Sequence, residues 1–200
     1  MINIDKVRKN SDKIDWFKLS IYGKLSEEFI REFQDKMKWD DICLCQKLSE
    51  DFIIEFQEYI NFRKLSWSIY ELSENIVRKF EDKMDWQGIS SSETLYSEQF
   101  MEEFECKIDW QIFSWRSVLS ENIIRKFQDK VDWYYISSDQ ILSENFIREF
   151  QDKVNWEFIS RYQKLSKEFI VEFYNKIYFE KLLCNKDISN ETKEFCRIFL

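Results

Sequence analysis

Hydrophobic and polar positions recur along this chain in blocks of similar length. In the clearest block, Ser143 precedes the apolar residues Phe146, Ile147, Phe150 and Val154, with charged residues in the positions between them. This spacing places the four apolar side chains on one stripe of a helix of about three turns. Serine is favoured at a helix N-cap, so the pattern predicts that the helix begins directly after Ser143.

A second apolar pattern follows within the same block. Asn155, another favoured N-cap residue, precedes Trp156 and Ile159, which are spaced to share one helix face. The pattern predicts a short second helix that ends near Arg161 and has some 3₁₀ character. Ser160 comes directly after Ile159, and a recurrent small residue at that position indicates close packing between blocks.

The same block occurs eight times. Its serine recurs as Ser26, Ser49, Ser73, Ser97, Ser120, Ser143, Ser166 and Ser189. Its aromatic residue recurs as Trp16, Trp39, Phe62, Trp86, Trp110, Trp133, Trp156 and Phe179. A fixed period of this length is typical of stacked repeats, in which neighbours bury the apolar stripes that one repeat cannot bury alone. We therefore predict an all-α protein, a superhelical α-solenoid of about eight repeats of 23–24 residues, each with a long and a short helix.

No linker interrupts the repeat, so the domain prediction is one array over residues 1–200. Residues 1–23 are expected to form an N-terminal capping unit, and residues 24–187 seven central repeats. Residues 188–200 are expected to form a C-terminal capping helix. The terminal blocks have polar residues at several positions that are apolar elsewhere, as the outer faces of capping repeats require.

Composition argues against an enzyme. The chain has 200 residues, no histidine and two glycines, so it lacks Ser-His-Asp and Cys-His arrangements and a glycine-rich phosphate loop. The five cysteines do not follow the repeat, which favours reduced thiols. Cys43 and Cys45 alone are a weak metal signal, and Cys43 occupies the slot of Ser160. We expect no catalytic residues, no metal and no cofactor.

Recurrent charged and aromatic residues have structural interpretations. The Asp-Lys step of Asp129-Lys130 and Asp152-Lys153 recurs, and stacking would place the aspartate of one repeat near the lysine of the next. The recurrent tryptophan could stack nucleic-acid bases, but its place at the start of the second helix favours packing in the core. Residues 1–16 are polar, and no stretch is long and apolar enough to span a membrane, so we expect no signal peptide and no membrane partner.

Positions that vary between repeats are better candidates for binding. Trp67 and Trp115 lie outside the apolar register. Each comes two residues after the apolar residue that corresponds to Ile159, which is Leu65 or Phe113 in these repeats. Together with nearby aromatic and arginine residues they could form a patch of the composition found at interface hot spots. The remaining candidates are Arg116, Tyr134, Tyr135, Arg161 and Tyr162. The alternative is that these residues only cover the edge of the array.

Residues 24–39, KLSEEFIREFQDKMKW, and residues 141–170, ILSENFIREFQDKVNWEFISRYQKLSKEFI, resemble a family of repetitive proteins encoded by giant viruses of the mimivirus group. The resemblance covers essentially the whole chain. It implies a viral origin and an intracellular setting, in the host cytoplasm, the viral factory or the virion, and it implies no activity. In architecture alone, the unit is also similar to the leucine-rich variant repeats.

The leading functional hypothesis is therefore a non-enzymatic scaffold that binds a host or viral protein, or a second copy of itself. The alternative is nucleic-acid binding through a basic stripe on the first helices, composed of Arg78, Lys79, Arg125, Lys126 and Arg148. The net charge of -8 disfavours this alternative, because phosphate contacts need a basic surface.

Overall fold

The protein is helical throughout the part that the computed structural model describes, which is residues 4–116 and 118–199. In these residues there are 17 α-helices and no β-strand, and pairs of helices pack consecutively along the chain. The predicted all-α repeat solenoid is therefore confirmed. The chain divides into two compact units, Met1–Asp109 and Trp110–Leu200. The single array over residues 1–200, with its capping units, stays a prediction.

Helices alternate between first helices, which follow the recurrent serine in every case but α1 (Ile4–Lys9), and second helices, which begin at the recurrent Trp or Phe. The first unit contains α1 Ile4–Lys9, α2 Trp16–Tyr22, α3 Glu27–Glu32, α4 Trp39–Cys45, α5 Glu50–Glu55, α6 Phe62–Leu65, α7 Glu74–Lys79, α8 Trp86–Ser91 and α9 Glu98–Glu103. The second unit contains α10 Trp110–Arg116, α11 Glu121–Lys126, α12 Trp133–Asp139, α13 Glu144–Glu149, α14 Trp156–Tyr162, α15 Lys167–Glu172, α16 Phe179–Leu183 and α17 Asn190–Cys196.

Every first helix from α3 onward begins as the sequence predicts. The Ser143 hydroxyl accepts a hydrogen bond from the Phe146 N–H at 3.2 Å, which satisfies one of the free donors at the start of α13. The same cap occurs at Ser26, Ser49, Ser73, Ser97, Ser120, Ser166 and Ser189. Phe146 and Ile147 are fully buried, as the apolar stripe requires.

The predicted length of the first helix is wrong. α13 has six residues and ends before Phe150, whose φ of -111° and ψ of 29° leave the helical region. A tight turn follows, in which the Val154 N–H donates to the Phe150 carbonyl at 3.1 Å. Because this turn nearly preserves the helical spacing, Phe150 and Val154 stay buried on the predicted stripe. Five of the second helices have seven residues, so they are not the shorter members of the pairs.

The recurrent tryptophan stabilises this turn. The Trp156 Nε1–H donates to the Gln151 carbonyl at 2.8 Å, an acceptor that has no helical partner because α13 has ended. Its ring lies 5.0 Å from the Phe173 ring of the next repeat. Trp16, Trp39, Trp86 and Trp133 donate to the equivalent carbonyls. These tryptophans are therefore packing residues, as predicted.

The small residue that follows the position of Ile159 links successive repeats. Ser137 is fully buried, and its hydroxyl donates to the Trp133 carbonyl at 2.7 Å and accepts from the Asn155 N–H of the next repeat at 2.9 Å. Ser20, Ser66, Ser90, Ser114 and Ser160 make equivalent pairs of bonds. Cys43 takes this slot in its repeat. Burial raises the pKa of its thiol to about 12, while the Asn61 N–H, which bonds to the sulfur, acts in the opposite direction.

A buried glutamine makes a second link that the sequence analysis missed. The Gln163 side chain donates to the carbonyls of Ser137 and Gln140 in the preceding repeat, at 3.2 and 2.7 Å, and accepts from the Leu142 N–H. Gln46 and Gln140 bridge their preceding repeats in a similar way. The signal was the recurrent Gln-x-Leu-Ser sequence of residues 46–49, 140–143 and 163–166.

Candidate functional site

The first helices present a charged face on which the arginines already have carboxylate partners. In the second unit, Arg125 Nε lies 2.7 Å from Glu149 of the next repeat, and this hydrogen bond raises the pKa of the guanidinium. Arg148 lies 2.8 Å from Glu172 in the same way. In the first unit, Arg8, Arg31 and Arg78 pair with Glu32, Glu55 and Glu103. Three arginines of the predicted basic stripe are thus neutralised by glutamates.

Glutamates at the start of the first helices tie this charge network to the backbone. Glu144 accepts the Ser166 N–H of the next repeat at 2.6 Å and lies 3.7 Å from Arg148. Glu27, Glu74 and Glu121 bond to the equivalent serine N–H groups. The charged face is therefore largely used to join one repeat to the next.

The predicted pairing of aspartates and lysines between repeats is confirmed. Lys153 Nζ lies 2.8 Å from Asp129, and Lys176 Nζ lies 3.3 Å from Asp152. In the first unit, Lys36 pairs with Asp12 and Lys107 with Asp82. These aspartates are exposed, so such pairs contribute little stability individually and mainly balance charge.

The second helices of the second unit carry a continuous row of aromatic side chains. The Trp115 ring lies 6.2 Å from Tyr135, and Tyr135 lies 5.2 Å from Tyr134. The Tyr134 ring meets Phe158 edge to face at 4.6 Å, and Phe158 lies 5.9 Å from Tyr162. The row crosses α10, α12 and α14 and keeps Trp115, Tyr134 and Tyr162 exposed.

Two arginines stack on the ends of this row. The Arg116 guanidinium lies 4.2 Å from the centre of the Trp115 ring, and the Arg161 guanidinium lies 5.5 Å from the centre of the Tyr162 ring. Neither has a carboxylate partner among the described residues. We call the resulting surface the aromatic–arginine surface; it consists of Trp115, Arg116, Tyr134, Tyr135, Phe158, Arg161 and Tyr162.

Six of the seven sequence-predicted site residues thus lie together, and Phe158 joins them. Phe158 was not predicted, although its column also varies between repeats. The column two residues after the recurrent aromatic, which holds Ile112, Tyr135, Phe158 and Lys181 in the second unit, would have found it. A cleft adjoins one end of the surface, lined by Arg161, Tyr162, Cys184, Lys186 and Asp187.

Trp67 lies in the first unit and has a local packing role. Its Nε1–H donates to Asp85 at 3.1 Å, although the side chain is 46% exposed. Its ring lies against Gly88, where an added Cβ would approach the Trp67 ring to 3.0 Å and the Ser66 carbonyl oxygen to 2.7 Å. The absence of a Cβ at Gly88 therefore allows the turn after α6 to pack closely against α8. These contacts fit the alternative interpretation for Trp67, in which it only covers the edge of the array.

The remaining chemistry of the described residues is sparse. No group of three or more His, Cys, Asp or Glu side chains in residues 4–116 and 118–199 could hold a metal ion. Burial raises the pKa of Cys45 and of Cys196, as it does for Cys43, which makes these thiols poor nucleophiles. None of the helices in the described part of the chain combines the length and apolar character needed to cross a bilayer.

In comparisons with known proteins, no protein-family model, curated protein or solved structure matches this chain.

Proposed function

We propose that this protein is a non-enzymatic repeat scaffold that binds another protein through the aromatic–arginine surface. The observation that supports this most directly is the uninterrupted row from Trp115 to Tyr162, with three exposed rings on neighbouring second helices. Exposed aromatic and arginine side chains are the types most enriched at binding hot spots.

The repeat itself does not require these residues. The position of Tyr134 holds Gln111 in the preceding repeat and Glu157 in the following one, both compatible with the same fold. The position of Trp115 likewise holds Ser138 and Arg161 in the next two repeats. Structural links use other positions, namely the buried serines and glutamines, so a role outside folding explains the aromatic row better.

Rigid presentation would favour binding. Tyr134 and Tyr162 extend from helices that are tied to their neighbours by Ser137, Ser160 and Gln163, all buried and hydrogen-bonded. Little conformational entropy is therefore lost when a partner covers these side chains. Following the resemblance to giant-virus repeats, we propose a host or viral protein in the cytoplasm of an infected cell as the partner.

The nucleic-acid alternative receives less support. Arg78, Arg125 and Arg148 of the proposed stripe are each bonded to glutamates. Binding of a nucleic acid there would have to break these pairs. A protein with a net charge of -8 would also repel phosphate at long range.

A quantitative pull-down with a matched control tests the proposal. We expect Tyr134→Ser/Tyr162→Ser to reduce recovery of specific partners at least tenfold, roughly the effect of one hot-spot residue. Tyr22→Ser/Tyr174→Ser removes two exposed tyrosines outside the surface and should leave recovery unchanged. If the first variant retains its circular dichroism and recovers the same proteins in full, while the control loses them, the proposed surface is wrong.

A further inference from the structure

We propose that the aromatic–arginine surface binds an extended acidic segment of its partner, with one carboxylate at Arg116, one at Arg161 and apolar side chains between them. This inference rests on the proposed function and adds the chemical class of the partner. It follows from the contrast between two sets of arginines, the geometry of the row and the position of one aspartate.

The contrast concerns ion pairing. The arginines of the first helices are bonded to glutamates of neighbouring repeats, as with Arg125 and Arg148. The arginines of the second helices, Arg63, Arg116 and Arg161, have no carboxylate partner in the part of the chain that the structure describes. The chain as a whole has 38 acidic and 30 basic residues, yet no carboxylate in the described part of the chain forms an ion pair with these three arginines.

The stacked arrangement suits carboxylate recognition. A guanidinium whose flat face rests on an aromatic ring still presents its N–H groups at the edge, where they can bind a carboxylate bidentately. The Arg116 and Arg161 guanidinium groups lie over the Trp115 and Tyr162 rings, 4.2 and 5.5 Å from the ring centres, within the range of a cation–π contact. The rings also restrict the arginine side chains, which lowers the entropy lost on binding.

The spacing sets the length of the segment. α10, α12 and α14 are successive neighbours, so Arg116 and Arg161 are separated by two helix-to-helix steps. At about 8–10 Å per step, this separation is about 16–20 Å. An extended chain rises about 3.3 Å per residue, so the two carboxylates should be about five or six residues apart. The exposed ring of Tyr134 and the half-buried ring of Phe158 lie between them and favour apolar side chains in that interval.

Asp139 favours a peptide ligand over a nucleic acid. It ends α12, is exposed, and occupies in its repeat the position that Arg116 and Tyr162 occupy in theirs. A nucleic-acid strand carries a phosphate at every nucleotide and would place a negative charge near Asp139 in any register. A peptide can place an apolar or basic residue there and keep its carboxylates for the two arginines.

Selection from a random peptide library displayed on phage, with the full chain as target, tests this inference. We expect enrichment of peptides with two acidic residues separated by about five positions. Their affinities are then measured by fluorescence polarisation. Arg116→Glu/Arg161→Glu should weaken binding about 10–100-fold, as expected for loss of charged hydrogen bonds. Arg63→Glu/Lys64→Glu makes the same charge change on α6 and should have little effect.

A reciprocal measurement guards against a folding defect. The Arg116→Glu/Arg161→Glu variant should bind the same peptides once their two acidic residues are replaced by lysine. Failure to bind these peptides, with normal circular dichroism, would count against two-point charge recognition. Tighter, arginine-dependent binding of a fluorescein-labelled oligouridylate than of the acidic peptides would overturn the inference in favour of nucleic acid.

The remaining outcomes separate this inference from the proposed function. Peptides that require Tyr134 and Tyr162 but lack acidic residues would overturn the acidic ligand and leave the binding surface in place. If no peptide is recovered, or if the recovered peptides bind Tyr134→Ser/Tyr162→Ser normally, both the ligand class and the surface are contradicted.

Discussion

At the scale of single residues, one buried hydroxyl both completes a helix and starts the next. Ser137 donates to its own helix and accepts the N–H of Asn155, the residue that caps the following second helix. Cys43 shows that a thiol can occupy the same slot. The slot therefore requires a small side chain that also carries an acceptor for the N–H group of the next repeat.

Removal of that acceptor gives a direct prediction. Ser137→Ala should lower the free energy of unfolding by about 1–3 kcal/mol, because the Asn155 N–H is left without a partner at a partly buried site. Ser137→Cys should have a smaller effect, as the Cys43 slot indicates. Urea denaturation measures both, with Ser138→Ala as the control at a partly exposed neighbour. An alanine variant as stable as the wild type would show that the bond is dispensable.

At the scale of helices, repeats are joined at the start of four first helices as well as through the core. Burial by itself raises the pKa of Glu74, but hydrogen bonds from the N–H and hydroxyl of Ser97 and from Arg78 outweigh it, so the net pKa lies below the usual range. The carboxylate form is thus favoured in the folded protein. The first helices that follow Ser49, Ser97, Ser143 and Ser166 therefore depend on a charge that belongs to the repeat before them.

This dependence predicts a change in stability with pH. Because the pKa of Glu74 is lower in the folded state, its contribution is present above the unfolded pKa and is lost as pH falls through the folded pKa. Glu74→Gln should therefore reduce stability at neutral pH and flatten its decline in acid. Denaturant unfolding at pH values between 7 and about 3, a range that spans the usual glutamate pKa, measures this. Glu28→Gln, at an exposed position of α3, is the control.

Substitution of Phe150 tests the packing at the point where α13 ends and the tight turn begins. Its side chain is 7% exposed and lies 4.7 Å from Phe146 and 5.1 Å from Trp133, ring centre to ring centre. Phe150→Ala should lower the free energy of unfolding by about 3–5 kcal/mol. Val171→Ala, at a side chain that is 51% exposed, should cost far less. Equal, small losses in thermal denaturation would contradict the assigned core.

The same break shows how far the sequence could predict the elements. The spacing of Phe146, Phe150 and Val154 suits both a continuous helix and a helix followed by a tight turn, because both keep the three side chains on one side. The backbone break at Phe150 depends on the side-chain hydrogen bond from the Trp156 indole to the Gln151 carbonyl and on packing with the next repeat. Local periodicity does not contain that information, whereas the serine caps are local and were predicted correctly.

At the scale of the whole molecule, each unit has a charged face of first helices and a face of second helices. Variation between repeats, together with the aromatic and arginine residues next to the variable positions, identified six members of the aromatic–arginine surface, because repeats align residues of one face. This variation could not distinguish Trp67 from the members of the surface, because the bond of Trp67 to Asp85 and its contact with Gly88 depend on the turn after α6. Nor could it show that Arg116 and Arg161 lack the ion pairs of the first-helix arginines.

Hydroxyl-radical footprinting of the full chain, alone and with its bound partner or selected peptide, tests the central claim most directly. Tyr134 and Tyr162 on the second helices are 53% and 46% exposed, and Tyr174, in the turn after α15, is 60% exposed, so all three react in the free protein. We expect oxidation of Tyr134 and Tyr162 to fall on binding, while that of Tyr174 stays constant. Protection of Tyr174 with unchanged Tyr134 and Tyr162 would contradict the account.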